Sequence, residues 1–314
     1  MPMLPELFLE RLQNIIPQEH FQLCLKSFGA HRPVSIRVNT LKTDRGQVIK
    51  YFYENKIVFH EIPFYSDAFV LPGMTTRQLA KWDIVKNGLI YIQSLSSLLP
   101  VKVLDPQPGE YIWDMCAAPG SKTTQLAAHM SNHGTVIATE NVRDRYYKLR
   151  TVVSLMNAEI VIPKFLDGRR LKSEGRFFDR VLVDAPCSSE GRFHIHDPKS
   201  YQYWSSRKIK EMVQKQRGLL LSAMRLLKPG GALVYSTCTF APEENEGVVD
   251  WLLRKTERTI GVEAVPFKSV TTYPAVVRWN QKEYSPEVAQ CTRVLPGEGR
   301  EGFFIAKLKK LAGG

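Results

Sequence analysis

The chain has 314 residues, 44% of them hydrophobic, which is enough to bury the core of one large domain or two ordinary ones. Its five cysteines are an odd number without CxxC spacing, so the composition argues against a disulfide framework and against a zinc site. A formal net charge of +12 favours a polyanionic partner such as a nucleic acid.

The first 95 residues predict a small α+β unit. A helix is expected at 4–16, and strand-like apolar runs follow at 34–38 and 57–62, separated by proline-containing turns. The start of the chain lacks a basic segment followed by an apolar stretch, so we expect no signal peptide. No apolar run approaches the length of a membrane span, and a cytoplasmic protein is therefore predicted.

From about residue 108 onward, short apolar runs alternate with helical stretches, which indicates a mostly parallel sheet with helices on both faces. Strands are expected at 111–115, 135–139, 159–162, 180–184, 232–236 and 303–308, and helices at 121–131, 143–156, 207–227 and 243–254. A Lys-Pro-Gly-Gly turn at 228–231 should end the long helix and lead into the fifth strand. We therefore divide the chain into an N-terminal domain, 1–95, and a main domain, 96–314.

The first strand of the main domain leads into the loop Asp-Met-Cys-Ala-Ala-Pro-Gly-Ser-Lys-Thr-Thr at 114–124. Small residues let a backbone approach a ligand closely, and the start of the following helix supplies free N–H groups. The loop has neither the glycines of a Walker A sequence nor those of a dinucleotide fingerprint. It is therefore predicted to hold a ligand other than a nucleoside triphosphate.

Acidic residues follow three successive strands, namely Glu140, Asp167 and Asp184. A carboxylate after the second strand is the usual partner of ribose hydroxyls, and the set suits an adenosine that carries a positive centre. Glu140 or Asp167 alone could equally be an ordinary turn or cap residue. Their order after consecutive strands favours the ligand.

Two cysteines lie just past buried strands, Cys187 in Asp-Ala-Pro-Cys-Ser-Ser and Cys238 in Tyr-Ser-Thr-Cys-Thr. The carboxyl edge of an open α/β sheet is where ligands bind, so this pair suggests a nucleophile with a helper. The remaining cysteines, Cys24, Cys116 and Cys291, are expected to be small buried apolar residues.

Three basic clusters flank this edge, at 143–150, 164–180 and 199–217, and aromatic residues at 201–204 follow the first cysteine. Any one cluster could be a solvated helix surface. Basic and aromatic residues together suit phosphates and unstacked bases, so we expect a nucleic acid as the partner.

These motifs resemble the S-adenosylmethionine-dependent RNA cytosine-5 methyltransferases, the family of the bacterial ribosomal RNA methylases and the Nop2/Sun proteins. The resemblance covers most of the chain and includes 35–42, 91–93, 114–124, 184–191, 235–246 and 302–306. It implies a Rossmann-like class I methyltransferase with a mostly parallel seven-stranded sheet and a small N-terminal α+β RNA-binding domain.

The resemblance also implies residue roles. Cys238 would be the nucleophile and Cys187 would assist release, with Asp184 and Lys122 completing the catalytic set. The cofactor, S-adenosylmethionine, would be bound by Cys116, Ala117, Ala118, Pro119, Gly120, Ser121, Lys122, Glu140, Arg145, Asp167, Asp184 and Pro186. Glu140 would hold the ribose and Asp167 the adenine side.

The predicted function is methyl transfer to C5 of a cytosine in RNA, with ribosomal RNA favoured and transfer RNA as the alternative. DNA enzymes attack from a Pro-Cys motif, so the two cysteines could exchange roles. A catalytically silent RNA-binding assembly factor, a DNA methyltransferase and a redox-active cysteine pair are further alternatives. We expect a monomer with neither a metal site nor a membrane anchor.

Overall fold

The computed structural model describes residues 4–172, 175–257, 259–297 and 299–311. The first three residues of the predicted N-terminal domain and the last three of the predicted main domain lie outside it. The N-terminal part contains five helices and four strands within these ranges. The helices are α1 (Glu6–Ile15), α2 (Gln18–Ser27), α3 (Arg45–Glu54), α4 (Thr76–Leu79) and α5 (Asp83–Lys86). The strands are β1 (Val34–Val38), β2 (His60–Glu61), β3 (Ala68–Leu71) and β4 (Ile90–Ile92).

The described residues of the rest of the chain form five further α-helices and eleven strands. Its helices are α6 (Leu95–Leu104), α7 (Ser121–His129), α8 (Arg143–Leu155), α9 (Ser206–Leu226) and α10 (Glu246–Lys255). Its strands are β5 (Tyr111–Asp114), β6 (Thr135–Glu140), β7 (Val161–Phe165), β8 (Phe178–Asp184), β9 (Leu227–Thr237), β10 (Ile260–Glu263), β11 (Thr272–Pro274), β12 (Arg278–Trp279), β13 (Lys282–Glu283), β14 (Thr292–Val294) and β15 (Phe303–Lys310).

The large sheet has a parallel centre and an antiparallel flank. Its order is β11-β14-β15-β9-β8-β5-β6-β7, and neighbours from β9 to β7 are parallel. β15 runs antiparallel to β9, and β14 and β10 share the outer edge of β15. The predicted Rossmann-like α/β fold is confirmed, and because the carboxyl ends of the parallel strands meet at one edge, the residues that follow them are gathered there.

The predicted strand number is wrong. The described residues form a nine-stranded sheet instead of a seven-stranded one. Six of these nine are the strands expected from the sequence, and the other three are the short strands β10, β11 and β14 between α10 and β15; β10 and β14 pair with β15, and β11 pairs with β14. A covered edge leaves fewer unpaired backbone groups for another chain to pair with.

The Lys-Pro-Gly-Gly turn belongs to a strand. The helix α9 ends at Leu226 as expected, but β9 already begins at Leu227. The register of β9 against β8 passes from Phe178↔Leu227 to Arg180↔Ala232, so the turn forms a bulge within the pairing.

The N-terminal sheet has the order β2-β3-β1-β4 and its own apolar core, with α3 packed against it. Of the strand predicted at 57–62, only His60–Glu61 pairs, while Ile57 and Ile62 are buried. The helices α1 and α2 pack elsewhere, since Phe8 and Phe28 lie in one cluster with Phe193 and Phe240, which follow the two cysteine motifs. The first helices therefore support the loops of the main sheet, and the domain boundary at residue 95 stays a prediction.

Candidate active site

One cleft opens at the carboxyl edge of the parallel strands and has a volume of about 680 Å³. Its walls include most of the residues chosen from the sequence: Cys116, Ala117, Ala118, Pro119, Ser121, Lys122, Glu140, Arg145, Asp167, Asp184, Pro186, Cys187 and Cys238. The parallel pairing explains the convergence, because β5, β6, β8 and β9 all end beside it.

Gly120 lies in the same loop, between the lining residues Pro119 and Ser121. It has φ of 115° and precedes the first residue of α7, a backbone conformation that glycine adopts without strain. A Cβ atom built at Gly120 would lie 3.0 Å from Val152 Cγ1, so the close packing of α8 also requires glycine here. Its direct contact with a cofactor stays a prediction.

Glu140 ends β6 and is buried, with 4% of its surface exposed. Its Oε1 accepts hydrogen bonds from the backbone N–H groups of Asn141 and Val142, each at 2.9 Å. Arg145 lies 3.5 Å from Oε2 and donates to the carbonyl oxygen of Ala118 at 2.7 Å. Arg145 thus ties the loop after β5 to the carboxylate after β6.

Asp167 lies at the far end of the cleft and is already paired. Its carboxylate accepts hydrogen bonds from the backbone N–H and the guanidinium of Arg169. These bonds hold the pKa of Asp167 below its ordinary value. Asp167 is therefore an oriented anion at this end of the cleft.

Asp184 ends β8 and faces the cleft with both oxygens fixed. Lys122 donates to Oδ2 at 2.7 Å and also to Ser97 Oγ at 2.8 Å, while Ser236 donates to Oδ1 at 2.8 Å. Lys122 is itself buried, so its ammonium group is compensated by Asp184. The catalytic candidates Lys122 and Asp184 form one ion pair.

The two sulfur atoms of Cys187 and Cys238 lie 3.5 Å apart at the cleft. The hydrogen bond from Cys187 lowers the pKa of Cys238, and the positive charge of Arg192 acts in the same direction. The same hydrogen bond, together with burial, raises the pKa of Cys187 well above its ordinary value. The pair is therefore polarised, with Cys238 as the better thiolate and Cys187 as the proton donor.

Asp114 is a site residue that the sequence analysis did not select. It is buried, its Oδ2 accepts a hydrogen bond from Thr123 at 2.7 Å, and its Oδ1 has no partner among the described residues. Burial raises the pKa of Asp114 to about 7. A buried carboxylate oxygen beside a cleft is suited to a cationic group of a ligand.

Other lining residues were also missed. Arg192 and Glu301 form an ion pair at the mouth of the cleft, with Nε and Oε2 3.3 Å apart. Ser97 lies on α6, a helix whose residues are nearly all apolar and buried, so it shows no amphipathic period in the sequence. Ser236 could have been found, because it belongs to the same motif as Cys238.

Three further expectations concern a membrane span, a metal site and the remaining cysteines. No helix within the described ranges is both long enough and apolar enough to cross a membrane. Among the same residues, no three or more His, Cys, Asp or Glu side chains are grouped as a metal ion would need. Cys24 and Cys291 are buried as expected, whereas Cys116 is partly exposed.

Known proteins resemble this chain over most of its length. Residues 101–309 match the family model described as 16S rRNA methyltransferase RsmB/F, and residues 4–95 match the N-terminal domain of 16S rRNA methyltransferase RsmF. The tRNA (cytosine(49)-C(5))-methyltransferase of Pyrococcus abyssi is 40% identical over 96% of this chain and 95% of its own length. The ribosomal RNA small subunit methyltransferase F of Pectobacterium carotovorum is 33% identical over 98% of this chain, which spans 63% of that longer protein.

Solved structures are similar over nearly the whole chain. A methyltransferase homolog protein from Pyrococcus horikoshii has a TM-score of 0.84 at 32% identity, covering 98% of this chain and 95% of its own. NSun6 from the same organism, solved with SFG, has a TM-score of 0.83 at 22% identity and covers 98% of both chains. At that lower identity the second likeness describes the fold alone.

Proposed function

The chain belongs to the RsmB/F family of 16S rRNA methyltransferases, and from this premise we propose that it transfers a methyl group from S-adenosylmethionine to C5 of a cytosine in RNA. The observation that carries the proposal is the polarised pair of thiols, 3.5 Å apart, in a cleft that the family's cofactor loop also lines. A silent RNA-binding factor would not need both thiols and the Lys122–Asp184 ion pair at one cleft.

The residues present fit the cofactor. Glu140 offers a fixed carboxylate to a pair of ribose hydroxyls, and the free oxygen of Asp114 suits the ammonium group of the methionine portion. The loop of small residues at 116–119 leaves room for the backbone to approach the ligand. When bound, S-adenosylmethionine supplies an electrophilic methyl group on a positively charged sulfur.

Cys238 is the proposed nucleophile. C5 of cytosine is a poor carbon nucleophile, and addition of a thiolate to C6 raises the electron density at C5 enough for it to accept a methyl group. The lowered pKa of Cys238 increases the thiolate fraction available for this attack. The alternative is attack from Cys187, the thiol whose pKa is raised by the bond to Cys238 and by burial.

Asp184 is proposed to hold the cytosine in position for the attack of Cys238. Its carboxylate is held by Lys122 and Ser236 and is partly exposed to the cleft, so it can accept a hydrogen bond from the exocyclic amino group of the base. A base fixed by this hydrogen bond keeps C6 within reach of Cys238.

Cys187 is proposed to act after methyl transfer, when the C5 proton must leave and Cys238 must be expelled. The hydrogen bond to Cys238 is the largest cause of its raised pKa. Once Cys238 is bonded to the base it no longer carries a negative charge, and the pKa of Cys187 falls. A larger fraction of Cys187 is then ionised, so a thiolate is available at the step where a base is required.

Ribosomal RNA is the proposed substrate, because both family models that match the chain describe 16S rRNA methyltransferases. Transfer RNA is the second candidate. A specific observation favours it, namely that the relative described as a tRNA methyltransferase matches both chains almost from end to end.

The test is tritium transfer from labelled S-adenosylmethionine to total RNA from a strain that lacks the gene, followed by nucleoside analysis and sizing of the labelled RNA. Label in 5-methylcytidine that is lost with Cys238→Ala would support the reaction, and the size of the RNA would separate the two substrates. A preparation that binds the cofactor but labels no RNA would contradict the proposal.

A further inference from the structure

The residues that directly follow the two cysteines are joined to each other. Ser188 and Thr239 place their hydroxyl oxygens 2.7 Å apart. The hydroxyl of Thr239 also donates to Glu190 Oε2 at 2.8 Å, which leaves the Ser188 hydroxyl as the donor to Thr239. We call the segments after β8 and β9, which carry Cys187 and Cys238, the two cysteine loops. The contact between them is thus a directed chain of hydrogen bonds that ends on a carboxylate.

Glu190 reaches from the Cys187 loop to the Cys238 loop. Its Oε2 accepts from the backbone N–H of Phe240 at 2.9 Å as well as from Thr239, and its Oε1 accepts from Trp204 Nε1 at 2.8 Å. The side chain is 1% exposed, and burial raises its pKa. Three donors therefore converge on one buried carboxylate.

Glu244 makes the reciprocal connection from the chain after Cys238. Its Oε2 accepts from the backbone N–H of Ser188 at 3.0 Å and from Gln216 Nε2 at 2.8 Å. Gln216 also donates to the carbonyl oxygen of Pro186, the residue before Cys187, at 3.0 Å. Glu190 of the Cys187 loop thus holds the Cys238 loop, and Glu244, which follows Cys238, holds the Cys187 loop.

We propose that Glu190 and Glu244 are positioning residues that set the spacing of the Cys187 and Cys238 thiols for the covalent step. The inference rests on the roles proposed above for the two thiols. In the described structure the two side chains accept hydrogen bonds from backbone N–H groups, from the Thr239 hydroxyl and from the side chains of Trp204 and Gln216, so they act through the loops and not on the base.

Glutamates at these positions fix the two loops more strictly than apolar residues would. Burying a carboxylate is costly unless hydrogen bonds compensate it, and an apolar contact would be easier to accommodate. Hydrogen bonds to a carboxylate are directional and strong, and they fix both loops relative to each other. Reacting groups that are misplaced by about 1 Å can lose about a hundredfold in rate, which makes such fixation useful.

The test uses Thr239→Val, which keeps the shape of the side chain but removes the hydroxyl that links Ser188 to Glu190. Thr239→Ser keeps the hydroxyl and serves as the rescue variant. Thr256→Val is the matched control, since it removes a hydroxyl that bonds only to backbone carbonyls of α10. Methyl transfer gives kcat and KM, and cross-linking of Cys187 to Cys238 with dibromobimane, located by peptide mapping, reports thiol spacing without RNA or cofactor.

Thr239→Val should lower kcat by about tenfold to a hundredfold with little change in KM, and it should lower the cross-link yield. Thr239→Ser should restore both, and Thr256→Val should change neither. A wild-type cross-link yield in both Thr239→Val and Glu190→Gln, the second of which puts an amide donor against the donors that Glu190 accepts, would overturn the proposal, whatever the activity. If Thr239→Val fails to fold, Ser188→Ala replaces it, and the same falls in kcat and cross-link yield are expected. Ser188 is partly exposed, so this substitution should disturb the fold less. Absence of methyl transfer in the wild type, with the cross-link pattern as expected, would contradict the proposed function and leave the positioning role standing.

Discussion

At the scale of single residues, the two thiols differ in proton affinity because their surroundings differ. Cys238 accepts a hydrogen bond and lies near the positive charge of Arg192, whereas Cys187 donates that bond and lies near Glu244. The same kind of argument applies to Asp184, whose two oxygens are held by Lys122 and Ser236.

Asp184→Asn keeps the size of the side chain and removes its charge. We expect kcat to fall by about a hundredfold, because a base misplaced by about 1 Å can lose that much in rate. Binding of S-adenosylmethionine, measured by calorimetry, should change much less. An unchanged kcat would exclude Asp184 from the chemical step.

The sequence predicted much of the site at this scale, since the residues chosen on motifs lie around one cleft. It did not find Asp114, whose importance depends on an oxygen left without a partner after folding. The sequence also did not show that Glu190 and Glu244 connect the loops of Cys187 and Cys238. Their positions along the chain do not indicate which loop each side chain reaches after folding.

At the scale of elements, the parallel strands bring the loops together and close backbone contacts hold them in place. Gly191 donates its backbone N–H to the carbonyl oxygen of Cys238 at 2.9 Å. A Cβ atom built at Gly191 would lie 2.3 Å from the carbonyl oxygen of Gly302, a distance at which the backbone must move.

Gly191→Ala should therefore displace the loop that carries Cys187 from the start of β15 and from Cys238. We expect at least a tenfold loss of kcat, by the same misplacement argument, and a lower melting temperature. Gly73→Ala is a control for the substitution itself, since a Cβ atom at Gly73 would have no other atom within 4 Å, although its φ of 72° adds local strain. Wild-type activity in Gly191→Ala would show that the loops tolerate movement.

The elements that the sequence predicted well are those with a clear period and clear ends, such as β5, β6, α7 and α8. The helix α6 escaped prediction because it is buried on nearly all sides and contains Pro100. The strands β10, β11 and β14 are only three or four residues long and pair with distant partners, which local pattern does not reveal.

At the scale of the whole molecule, stability should depend on buried carboxyl groups. Burial raises the pKa of Asp114 to about 7 and of Glu244 to about 8, from ordinary values of 3.8 and 4.5. Between the ordinary and the raised values, the folded protein holds protons that the unfolded chain releases. The contribution of these two groups to the free energy of unfolding therefore falls as pH rises through that range.

Glu244→Gln removes one of the two groups. The melting temperature of the wild type, measured from pH 5 to pH 8 without cofactor, should fall more steeply with rising pH than that of Glu244→Gln. Parallel curves for the two proteins would contradict the raised pKa of Glu244.

The central claim is that Cys238 forms a covalent bond to a cytosine of RNA during methyl transfer. The most direct measurement is trapping with substrate RNA that contains 5-fluorocytidine, because fluorine at C5 cannot leave as a proton and the covalent complex should accumulate. Our account predicts a complex that requires S-adenosylmethionine and in which peptide mapping places the nucleotide on Cys238. Attachment through Cys187, or methylation of ordinary RNA without any trapped complex, would contradict it.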